Sequence, residues 1–193
     1  MVAPPAVPDE RLSNWRRVDD TTETPFDAAG VTVSARVVLF EDDDLRTVVR
    51  DRAGVDRIWR FFLAARLSVS PVPPVPGTLR GLVATRAGRD FADRLDARGF
   101  TAVDRVERRS LRIGDDDATL FRYDARCHVE GVTLSVDGWL ATWVPDRDVR
   151  LAGGAYPTGV VDATEPDAAA ALRDALDPTA FRSELFELIR GTG

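Results

Sequence analysis

The chain of 193 residues carries 26 basic and 32 acidic side chains, for a formal net charge of −6. That length suffices for one sizeable core, and the acidic balance argues against a duplex nucleic-acid binder, whose phosphate contacts want a net basic face. A single Cys and a single His exclude a disulfide framework and a thiolate cage, and they leave no basis for a histidine zinc site.

All 26 basic residues are Arg; Lys and Gln are absent and Asn occurs once, at Asn14. This Arg- and Asp-rich composition resembles that of haloarchaeal proteins, although −6 is mild for that group. The resemblance implies a salt-adapted chain, because carboxylates hold water when salt competes for it and charge keeps the fold soluble. The N-terminus has neither a charged nor an apolar leader region, and the longest apolar run is far short of a membrane span. A soluble cytoplasmic protein is expected, with no membrane partner.

Taken in order, residues 1–10 are proline-rich and expected to form a poorly ordered tail, with a single domain over 11–193. Trp15 to Val18 begins an edge strand, followed by a polar loop at Asp19-Asp20-Thr21-Thr22. Val31 to Phe40 alternates with period two and reads as a strand. The carboxylates of 41–44 are placed to cap a short helix closing at Gly54. Ile58 to Ser70 is a second long strand, although Phe62 breaks its alternation. Pro71 to Gly77 cannot pair centrally, since proline has no N–H to give, and reads as a stiff crossover. Thr85 to Arg98 is helical, with Gly99 as terminator. A four-strand meander follows, at about 101–113, 118–129, 132–144 and 148–156. Thr164 and Asp167 form a capping-box variant for a helix to about Leu176. Asp177-Pro178 opens the last helix, with Phe181, Leu185, Leu188 and Ile189 on its buried stripe.

The meander contains the most legible stretch. Phe121, Tyr123, Ala125, Cys127 and Val129 alternate with Arg122, Asp124, Arg126 and His128. After Glu130-Gly131, Val132, Leu134 and Val136 continue in the opposite phase. A two-residue turn then pairs Val129 with Val132, Cys127 with Leu134 and Ala125 with Val136, and a slip of one residue would undo every apolar match. The whole is an α+β fold, mainly an antiparallel sheet of about six strands flanked by helices. This order over roughly residues 31–190 is similar to that of the Mog1/PsbP-like α/β/α sandwiches, a group of binding and assembly proteins. The likeness is one of topology and carries no functional residue across.

The same register sets Asp124 opposite Asp137, Arg126 opposite Ser135, His128 opposite Thr133 and Arg122 opposite Trp139. Facing aspartates repel unless a cation lies between them, and Arg122 or Arg126 can supply it. The plain reading is an exposed face laced with Arg–Asp pairs. The sharper ones are an anion site on Arg122 and Arg126 or an Asp dyad sharing a proton. Cys127 and His128 point to opposite faces, which excludes a Cys–His pair. Trp139 and Trp143 mark a partner surface if exposed and core if helices cover them. Gly153 and Gly154 suggest a functional loop or a bend at a sheet end. The Asp runs at 42–44 and 115–117 lack EF-hand spacing and read as solvated turns.

No catalytic, cofactor or metal motif occurs. The expectation is a non-catalytic binding module whose partner is an unknown protein or a small anionic ligand, with a surface including Trp139, Trp143, Gly153 and Gly154. The alternative is a small hydrolase-type or anion-processing enzyme built on Arg122, Asp124, Arg126 and Asp137.

Overall fold

The computed structural model describes residues 2–28, 31–71, 76–145 and 148–193. The strands are β1 (Trp15–Ala28), β2 (Val31–Asp42), β3 (Phe61–Ser70), β4 (Phe100–Ile113), β5 (Asp116–Val129), β6 (Val132–Trp143) and β7 (Val149–Ala163). The helices are α1 (Asp43–Ala53), α2 (Pro76–Ala97), α3 (Pro166–Ala175) and α4 (Pro178–Gly191). All seven strands form one sheet in the order β1-β2-β3-β7-β6-β5-β4, and every neighbouring pair is antiparallel. The expected α+β class holds, with seven strands in place of about six.

Helices cover both faces. On one, Tyr123 donates a hydrogen bond to the Gly88 carbonyl of α2 at 2.7 Å, and the Phe91 ring lies 5.2 Å from the Tyr123 ring. On the other, Phe186 of α4 meets Trp139 edge-on at 5.0 Å and Phe181 meets Tyr156 at 6.3 Å. This two-sided burial explains why β3 lacks a clean alternation: Phe61 to Ala65 are all buried, as expected for a central strand packed on both faces.

The β5–β6 hairpin forms in the expected register, from Val129↔Val132 through Asp124↔Asp137 to Arg122↔Trp139. Glu130 and Gly131 both take positive φ, 46° and 76°, which a two-residue type I′ turn requires at its two central positions. Asp42 caps α1 by accepting from the Leu45 N–H at 2.9 Å, and Gly54 closes that helix at φ 72°. Asp177 caps α4 through the Ala180 N–H at 3.0 Å.

Four local expectations need correction. β1 does not stop at Val18 but runs to Ala28. Its polar residues tolerate strand geometry because it is an edge, where Asp20 reaches Arg36 of β2 at 2.9 Å. α2 begins at Pro76, well before Thr85. The capping box is absent: Glu165 is the N-cap of α3 without a side-chain bond, because Thr164 instead donates to the Gly131 carbonyl at 3.2 Å. Finally, the proline-rich start is tied to the end of α4. Ala6 and Gly193 exchange backbone hydrogen bonds of 3.1 and 3.0 Å, and Val2 is buried. Of the Pro71–Gly77 crossover, residues 72–75 lie outside the described residues, while Pro76 and Gly77 belong to α2 and not to an extended segment. Part of the 145–148 turn, 146–147, also lies outside the described residues.

Candidate functional site

The polar hairpin face resolves into ion pairs. Arg122 Nη2 lies 3.1 Å from Asp137 Oδ1 and 3.2 Å from Asp124 Oδ1, so one guanidinium separates the two opposed carboxylates. The hydrogen bond that Arg122 donates to Asp137 raises the Arg122 pKa further, against the smaller opposing effect of burial. Arg126 is exposed and joins no ion pair among the described residues, so the expected pairing of Arg122 with Arg126 around an anion is not assembled. His128 Nδ1 is 2.9 Å from the Thr133 hydroxyl. The Cys127 thiol is buried, and burial pushes its pKa up, with Arg57 opposing that weakly.

The expected partner surface on Trp139, Trp143, Gly153 and Gly154 is corrected. Trp139 and Trp143 are 2% and 1% exposed, because α4 covers Trp139. The Trp139 indole N–H is held by the Tyr156 hydroxyl at 3.2 Å. Gly153 and Gly154 lie within β7, opposite Leu140 and Trp139, and form no loop. A Cβ on Gly153 would sit 2.3 Å from the Trp139 carbonyl oxygen, and one on Gly154 would sit 2.1 Å from that of Phe61. At both positions the absence of a Cβ lets three strands close together.

A cleft of about 550 Å³ opens elsewhere, at the end of the sheet beside the β5–β6 turn. Leu39, Val55, Phe61, Phe100 and Val129 give it apolar walls, and Arg57, Arg98, Asp56, His128 and Glu130 supply its polar groups. Asp56 is already bound to Arg46 at 2.5 Å, and that hydrogen bond lowers its pKa. Arg57 and Arg98, by contrast, have no carboxylate partner among the described residues. Arg98 stands 5.6 Å over the Phe61 ring. Partial burial of its guanidinium lowers its pKa, with Arg94 adding to the effect and Asp19 opposing it. A guanidinium without a counter-ion, against apolar walls, is a ready site for a carboxylate or similar oxyanion. Sequence reading missed these residues. Arg57 lies in the connection between α1 and β3, and Arg98 sits beside the Gly99 terminator. The only local hint was an Arg beside each helix end, a common occurrence.

Among the described residues no group of three or more His, Cys, Asp or Glu side chains is placed to hold a metal ion, and no helix is long and apolar enough to cross a membrane. Fold and cleft together define an α+β protein with a seven-stranded antiparallel sheet and an apolar-walled recess at one end that carries charged groups of both signs. The chain belongs to the family described as a domain of unknown function, DUF6517, whose model matches residues 4–193. No curated protein matches it.

Proposed function

We infer that the protein is a non-catalytic binding module that takes up a small organic anion in the cleft between the β2–β3 end of the sheet and the β5–β6 turn. The observation that carries this reading is the pairing of two arginines lacking carboxylate partners, Arg57 and Arg98, with walls of Leu39, Val55, Phe61 and Phe100. The charged end of the ligand meets the guanidinium groups and its apolar body lies along the rings, with polar groups fixing orientation against apolar walls as in small-molecule sites. The volume suits a ligand of modest size rather than a protein segment. Composition supports a salt-rich cytoplasm as its setting, where a ligand must be held by burial as well as charge, since exposed ion pairs are screened.

The test is calorimetry and thermal shift with benzoate and hexanoate against acetate at equal ionic strength. Wild type responds to the larger acids more than to acetate, and Arg57→Gln and Arg98→Gln lose that difference. Equal responses to all three acids, or variants that bind as wild type does, overturn the reading. The rival reading, an anion-processing enzyme on Arg122, Asp124, Arg126 and Asp137, has both carboxylates already engaged by Arg122 and Arg126 standing apart.

A further inference from the structure

On the central strands three arginines stand in one row. Arg36 of β2 is opposite Arg66 of β3, and Arg66 is opposite Arg150 of β7. Directly opposed residues share a face of the sheet, with neighbouring strands about 4.8 Å apart. Like charges so placed destabilise one another unless something negative lies among them. Ser34 and Ser68, opposed two positions further along, extend the same face with hydroxyls.

The counter-charge present is incomplete. Asp20 accepts from Arg36 Nε and Nη2 at 2.9 and 3.1 Å, and Asp148 accepts from Arg66 Nη2. Arg150 has no carboxylate partner among the described residues, and its Nε is buried with no acceptor. A buried N–H left without an acceptor is costly, and each one calls for an explanation. Each guanidinium has five N–H donors. Among the described residues, no hydrogen bond is made by Arg36 Nη1, by Arg66 Nε or Nη1, or by the Arg150 guanidinium. The side chains of Arg36 and Arg66 are 30% and 32% exposed and Arg150 is half-buried, so the row is reached from solvent through Arg36 and Arg66.

We propose that the Arg36–Arg66–Arg150 row binds a phosphate group, with Arg150 as its principal ligand and the free N–H groups of Arg66 and Arg36 completing the contact. A carboxylate is satisfied by a single guanidinium fork, whereas a tetrahedral oxyanion has enough oxygens to bridge forks from neighbouring strands. Among the described side chains, three cations are set against two aspartates. The row is separate from the cleft and uses none of its residues.

The experiment is titration of the full chain with inorganic phosphate and with glycerol phosphate, against KCl at matched ionic strength, followed by 31P line broadening and thermal shift. Phosphate broadens and stabilises wild type beyond chloride, while Arg150→Gln loses the effect and Arg150→Lys, which keeps charge but not the fork, weakens it about tenfold. Tighter binding of glycerol phosphate assigns the site to a phosphoester, and equal or tighter binding of inorganic phosphate assigns it to the free ion. Arg57→Gln leaves phosphate binding intact, so this site and the cleft succeed or fail separately. Chloride matching phosphate, or Arg150→Gln and Arg66→Gln both responding as wild type does, overturns the proposal.

Discussion

Arg60 and Asp42 meet in a buried ion pair, Nη1 to Oδ2 at 2.7 Å, beneath the rings of Trp15 and Phe181 at 4.7 and 4.4 Å. The second Arg60 nitrogen reaches Glu184 at 2.8 Å, and Glu184 also accepts from the Trp15 indole at 3.1 Å. One side chain thus joins β1, the cap of α1 and the face of α4. Arg60→Ala leaves Asp42 buried without its cation and is expected to cost about 3–5 kcal/mol, measured by urea unfolding. A loss below about 1 kcal/mol would show that the group is dispensable.

Burial raises the Asp42 pKa, although the Leu45 N–H and Arg60 both oppose the shift. A folded-state pKa above the unfolded one means that the native protein holds this proton longer. The Asp42 contribution is therefore full below the unfolded pKa and declines as pH rises through the folded one. Asp42→Asn removes that dependence, so the variant gains on wild type as pH climbs out of the carboxylate range, whatever its offset. Unfolding curves at pH 3 through 7 check the sign, and a variant that loses ground with rising pH refutes it.

Gly153→Ala and Gly154→Ala place a methyl into neighbouring backbone at 2.3 and 2.1 Å. Strand backbone cannot swing aside as a side chain does, so each is expected to cost about 1–3 kcal/mol or more. Gly159→Ala, whose Cβ meets only the Ser135 hydroxyl at 3.8 Å, serves as the control and stays within about 1 kcal/mol of wild type. Thermal melts of the three variants decide between close strand approach and a merely flexible segment.

Removing Arg122 exposes Asp124 and Asp137 to one another across the ladder. Because Asp124 is largely exposed, Arg122→Ala is expected to cost only about 1 kcal/mol in dilute salt. Added KCl screens the repulsion and recovers part of the loss. A penalty independent of salt would instead assign the cost to lost packing of the Arg122 stem on Trp139.

The hairpin register was legible because two alternating runs meet at a turn that tolerates one alignment. The helix ends at Asp42, Gly54, Gly99 and Asp177 were legible for a similarly local reason. β1 was not, since an edge strand with ion-paired side chains has no apolar phase to reveal it. Trp139 and Trp143 were ambiguous because alternation assigns a face without saying what covers it. Arg57 and Arg98 were invisible as a pair. Each comes from a connection without periodicity, and only the sheet order brings their segments to one recess.

The seam between β3 and β7 is the one place where the sheet joins residues 15–70 to residues 100–163. Its Arg66–Asp148 contact spans 82 positions of chain, whereas every other strand pairing is between neighbours in sequence. Closing so long a loop is entropically slow, so each half is expected to zip locally before the two merge. Substitutions at Ala64 or Ala152, on that seam, should then slow refolding as well as accelerate unfolding.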